Sequence, residues 1–74
     1  MLEKPFYFGQ DAFYCHFGSN GEILKTINCI ILDGFYQEKT RDRREGWRVL
    51  IEYKKPLWGN RYTERYLDEL TIIN

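Results

Sequence analysis

Three side chains of this 74-residue chain are soft metal ligands: Cys15, His16 and Cys29. A structural zinc site takes four ligands, commonly with two of them in a closely spaced cysteine pair. Cys15 and His16 are adjacent, and adjacent residues on a strand point to opposite faces, so they do not converge on one ion. The same geometry separates them as a thiol–imidazole nucleophilic pair. His16 can meet Cys29 only across strands, and no third group is placed to orient such a pair. Asp68 and Glu69 are neighbours beside a turn and read as solvated carboxylates, not as a general acid and base. The chain carries no phosphate loop, nucleophile elbow or dinucleotide fingerprint. The reading is a non-enzyme with no metal and no cofactor, whose two thiols are reduced and packed as small hydrophobes.

Binding chemistry has better material. Lys39, Arg41, Arg43 and Arg44 lie within one hydrophilic stretch, and arginine grips carboxylate or phosphate through paired hydrogen bonds. Trp58, Tyr62 and Tyr53 can stack on bases, which makes the basic loop 39–48 with its nearby aromatics a nucleic-acid reading. Against it, the formal net charge is zero, whereas nucleic-acid domains carry a basic excess. The charge is nevertheless polarised: residues 1–38 carry −3, residues 39–65 carry +5 and residues 66–74 carry −2. Such asymmetry points to a charged partner. Trp58 lies between Pro56 and Gly59. A tryptophan there either anchors a protein interface or folds back as a lid on a small core. The leading expectation is a protein partner held by an aromatic face of Trp58, Tyr62, Tyr53 and Tyr36, rimmed by Arg41, Arg43, Arg44 and Arg61.

A chain of this length makes one domain, taken as residues 1–74 with 1–8 as an N-terminal arm, and its core is small. The 18% aromatic content helps to fill that core. The longest apolar run is Cys29-Ile30-Ile31-Leu32, far short of a membrane span. The N-terminus lacks the basic and apolar regions of a secretory signal, so the expected location is the cytoplasm.

The glycines at 9, 18, 21, 34, 46 and 59 punctuate short alternating segments, the pattern of an all-β sandwich or barrel. A first strand is expected over 11–17, then a turn at Gly18-Ser19-Asn20-Gly21. A long second strand runs from Ile23 to about Leu32 or Tyr36. It is apolar on both faces, and so either is buried on both sides or bends through a bulge and changes sheet, for which Asp33-Gly34 offers a place. Residues 39–46 form a loop. The third strand, 47–53, sets Trp47, Val49, Ile51 and Tyr53 against Arg48, Leu50 and Glu52, the clearest alternation in the chain. Residues 56–60 turn, 61–66 form a fourth strand, 67–70 a turn of 3₁₀ helix and 71–73 a short fifth strand. Val49, Ile51, Ile27 and Leu70 are expected in the core.

Five strands, a 3₁₀ turn before the last, and the series Tyr53, Gly59-Asn60, Glu64, Leu67 and Leu70 resemble the Src-homology-3-like barrels, in particular their Tudor-like branch. The resemblance spans roughly residues 9–73 and implies a small five-stranded barrel. Tudor-like domains often hold methylated lysine or arginine in an aromatic cage. By position Tyr14, Tyr36, Tyr53 and Tyr62 would be its members here. The insert at 39–46 and the turn at Pro56-Leu57-Trp58 depart from the Tudor pattern. The layout also resembles the small stand-alone barrels of phages and mobile elements, which implies a small regulator or inhibitor of a larger complex.

Overall fold

The alternation does form strands. A computed structural model describes residues 3–73; residues 1 and 2 of the expected arm, and residue 74, lie outside the described residues. In chain order the elements are β1 (Gln10–Phe17), β2 (Ile23–Gln37), β3 (Gly46–Leu57), β4 (Asn60–Tyr66), a 3₁₀ turn (Leu67–Glu69) and β5 (Thr71–Ile72). All pairings are antiparallel, and the sheet order is β4-β3-β2-β1-β5. The chain meanders through four strands, and the last one returns to the far side of β1. Among the described residues the ladder does not close, because no pairing joins β4 to β5. The all-β class and the 3₁₀ turn before the last strand stand as expected.

One face of the sheet is apolar. Ala12 and Tyr14 of β1, Ile27, Cys29 and Ile31 of β2, Val49, Ile51, Tyr53 and Leu57 of β3, and Leu70 after the 3₁₀ turn form a single buried cluster. Strand side chains alternate between faces, so these odd-numbered residues of β2 and β3 share a face by register alone. Phe6, Leu67 and Ile72 pack against the cluster's margins. Phe6 meets Trp47 edge-to-face at 5.7 Å, so the arm is docked at that residue. The two cysteines differ: Cys29 is fully buried and its thiol faces the Ala12 carbonyl at 3.6 Å, whereas Cys15 is only half-buried. Burial pushes the Cys29 thiol up to about 11.

The bend in β2 is a bulge one residue earlier than expected. Ile31 pairs with Ile51 and Asp33 with Leu50, which leaves Leu32 without a partner. The extra residue reverses the facing of everything beyond it. Gly34 then lies so close to β3 that an added Cβ would stand 2.5 Å from the Arg48 carbonyl oxygen. β3 is longer than the alternation suggests and carries its own irregularity. Glu52 pairs with Tyr62 and Leu57 with Asn60, so residues 53–56 are opposed by Arg61 alone. Pro56, which has no N–H to give a ladder, falls in this looped-out stretch. The expected turn at 56–60 therefore shrinks to Trp58-Gly59.

Candidate functional site

The eight residues singled out by sequence do not gather at one place. Trp58 forms the tip of the β3–β4 turn and is 70% exposed. Tyr62 is exposed on β4, with the Arg61 guanidinium 5.9 Å from its ring. Tyr36 lies at the other end of β2, where its ring meets Trp47 at 5.5 Å. Tyr53 belongs to the core: it is 7% exposed and its hydroxyl lies 3.1 Å from that of Tyr14. The expected aromatic face is thus corrected on this point. Tyr53 shares its strand face with Val49 and Ile51, and that alternation was the signal for its burial. Tyr14 and Tyr53 do meet, but Tyr36 and Tyr62 do not join them, so these four tyrosines enclose no common space.

The arginines are mostly spoken for. Arg44 makes a two-pronged bond to Asp68 at 2.9 and 2.8 Å and stacks 3.7 Å above the ring of Tyr66, whose hydroxyl donates to the Arg44 carbonyl at 3.0 Å. On the same ring lies Arg48, at 4.9 Å, held by Glu64. Arg61 pairs with Glu52 at 2.7 Å. Arg65 pairs with Glu69 at 3.5 Å while covering the ring of Tyr14 at 4.8 Å. These contacts spend four of the six arginines on neighbouring carboxylates and tyrosines. Among the described residues, the cations without an ion-pair partner are Lys39, Arg41 and Arg43 in the 38–45 loop, and Lys25 and Lys55 on facing stretches of β2 and β3. The basic excess of residues 39–65 therefore does not form one continuous stripe. It splits into two small clusters, one before β3 and one near its end.

The turn that holds Trp58 is unusual. Two-residue hairpin turns favour positive φ at both central positions, and Asn-Gly or Gly-Gly usually fills them. Here φ is +48° at Trp58 and +77° at Gly59. Trp58 is the only non-glycine residue with positive φ among those described, and a bulky residue there is strained. Its ring does not fold back over the core as a lid. Among the described residues its aromatic neighbour is the exposed His16, edge-to-face at 5.9 Å. His16 lies near the end of β1, beside the hairpin tip where Phe17, Ile23 and Leu24 are also exposed. This end of the sheet thus exposes four large apolar side chains, of which the sequence pointed only to Trp58. Phe17 and Ile23 are paired, and Leu24 is left over by a second bulge, so alternation alone did not identify them as exposed.

Among the described residues, no group of three or more histidine, cysteine or acidic side chains converges, and no helix is long and apolar enough to cross a membrane. No protein-family model, curated protein or solved structure matches this chain.

Proposed function

We propose that the chain is a small non-catalytic protein-binding module, built on an SH3-like barrel and engaging its partner through the end of the sheet that carries Trp58. The observation that carries this reading is Trp58 itself: a tryptophan 70% exposed, held at a positive φ where asparagine or glycine would fit without strain. Backbone strain and a large exposed aromatic are both costs to the free protein, and both recur at binding sites. Tryptophan is the residue most enriched among interface anchors. Phe17, Ile23 and Leu24, at the same end of the sheet, are exposed as well. The SH3-like assignment is supported by the four-strand meander, the bent second strand, the 3₁₀ turn and the return of β5 to β1. The size suits a regulator or inhibitor that docks on a larger complex.

A Tudor-type cage is not the favoured use of this scaffold, because Tyr14 and Tyr53 satisfy each other internally. Single-stranded nucleic acid is the rival partner, and it would use the unpaired Lys39, Arg41 and Arg43. The test is a comparison of two variants, Trp58→Ala and the double change of Arg41 and Arg43 to Ala, which leaves the Arg44–Asp68 pair intact, against proteins captured from the native host and against oligonucleotides. Trp58→Ala should weaken the protein complex by more than about 1 kcal/mol. The arginine variant should mainly slow association, since rim charges steer encounter. If the arginine variant instead abolishes a steeply salt-dependent oligonucleotide binding, and Trp58→Ala leaves every protein complex intact, the nucleic-acid reading replaces this one.

A further inference from the structure

The β2–β3 ladder stops at the Cys29–Tyr53 pair. β2 continues back from there to Ile23, and β3 continues forward to Leu57, but the two no longer pair. Residues 25–28 are bonded to β1 in regular register on one side and, among the described residues, pair with no strand on the other. Their would-be partner, residues 54–56, is looped out of the β4 ladder as well and contains Pro56. The strands diverge around a groove of about 410 Å³ that is lined by Lys25, Thr26, Ile27, Lys55, Pro56 and Leu57, among others. Ile27 and Leu57 are buried and supply its apolar floor, while Lys25, Lys54 and Lys55 stand at its rim. Lys54 is held by Asp11 at 2.7 Å; Lys25 and Lys55 have no acidic partner among the described residues.

We infer that this groove receives an extended acidic peptide segment of the partner, which adds as a strand to the open edge of β2 at residues 25–28. The inference rests on the protein-binding reading and names the chemistry of the partner. An interior strand with one unpaired edge offers a row of main-chain donors and acceptors, the basis of strand addition. Lysine and proline beside such an edge discourage indiscriminate pairing. Here they also select: two unneutralised ammonium groups repel a basic strand and favour one carrying carboxylates. The apolar floor takes the alternate side chains, because successive residues of a strand face opposite ways. A phosphate backbone would satisfy the lysines but would leave the strand edge and the apolar floor unused.

The experiment uses the full chain, isotopically labelled, and a short peptide alternating glutamate and valine as the probe. The expected result is a set of amide shifts at residues 25–28 and 54–57. Affinity should fall about tenfold or more in the double variant Lys25→Glu with Lys55→Glu, and binding should be lost when alternate peptide amides are N-methylated. Both lysines are exposed, so the variant should keep its melting temperature. A lysine–valine peptide should not bind. The inference is overturned if the glutamate–valine peptide causes no shifts at millimolar concentration, if its shifts fall elsewhere, if N-methylation has no effect, or if oligothymidylate takes the groove in its place. Should the peptide fail while Trp58→Ala still abolishes capture of a host protein, the groove assignment alone falls. Should oligothymidylate bind through Lys25 and Lys55 while neither variant affects any protein complex, the protein-binding reading falls with it.

Discussion

The Tyr14 and Tyr53 hydroxyls meet 3.1 Å apart across β2, with the Arg65 guanidinium 4.8 Å from the Tyr14 ring. Adjacent strands are about 4.8 Å apart, so only a large side chain reaches over the strand between. The pair places a polar contact within the buried cluster, on the side that Arg65 covers, and satisfies it there.

That contact gives the fold an alkaline limit. Burial, reinforced by the hydrogen bond to Tyr53, pushes Tyr14 up to about 12 from 10.0. A group whose pKa is raised on folding stabilises the fold fully below its unfolded value, and loses that contribution as pH rises through the folded one. Stability should therefore fall between about pH 10 and 12, the two values above. Tyr14→Phe should flatten that decline and, at neutral pH, cost roughly 1 kcal/mol by leaving the Tyr53 hydroxyl without its partner. Denaturant melts across this pH range read both effects.

Ile51 is fully buried at the middle of β3, between Ile31 on β2 and Thr63 on β4. Ile51→Ala should cost about 2–5 kcal/mol through lost burial and the cavity left behind. In a domain this small, that approaches the whole stability. An unchanged thermal midpoint would mean that the residue does not face the core.

Gly34 is required by proximity. Its missing Cβ would stand 2.5 Å from the Arg48 carbonyl oxygen, 2.8 Å from Phe6 and 2.9 Å from Val49. Backbone does not yield as a flexible side chain does, so Gly34→Ala should destabilise by about 1–3 kcal/mol and loosen Phe6 from its site. Thermal melting measures the first, and the Phe6 ring signals report the second.

Trp58→Asn should raise the melting temperature. The substitution makes the turn Asn-Gly, which adopts positive φ with little strain, and the gain should be roughly 1 kcal/mol. Partner binding should fall in the same variant. A protein that becomes more stable and less able to bind identifies Trp58 as a residue kept for contact.

Arg44 and Asp68 tie the 38–45 loop to the 3₁₀ turn, with the Tyr66 ring in contact with both Arg44 and Arg48. The hydrogen bond from Arg44 holds the Asp68 carboxyl below the usual carboxylate range. A lowered carboxyl contributes above its unfolded pKa, and the contribution fades as pH falls through the folded one. The protection of the loop amides, measured relative to their intrinsic exchange rates at each pH, should therefore fall on acidification and in high salt. In Asp68→Asn that protection should already be low at neutral pH.

The sequence carried the strand count, the turns and most of the inner face. Alternation between polar and apolar residues has period two, and strand geometry converts that period directly into facing. Val49, Ile51 and even Tyr53 could be assigned to one side this way. Which side is the core is equally legible from Val49 and Ile51, while an aromatic such as Tyr53, close in sequence to Trp58, reads as core or as contact until its neighbours are known. What alternation cannot encode is the ladder between strands. The bulge at Leu32, the looped-out residues 53–56 and the parting of β2 from β3 depend on how separate segments pair. Pro56 is compatible with a turn or a bulge until its neighbours are known. The cancelling of the arginines belongs to the same class. Arg44 finds Asp68 across 24 residues of chain, and no local pattern specifies that distance. The sequence alone therefore determined an all-β chain with a polarised charge. Only the tertiary pairing decided where that charge is left uncompensated, because neutralisation is set by distance in space and not by order along the chain.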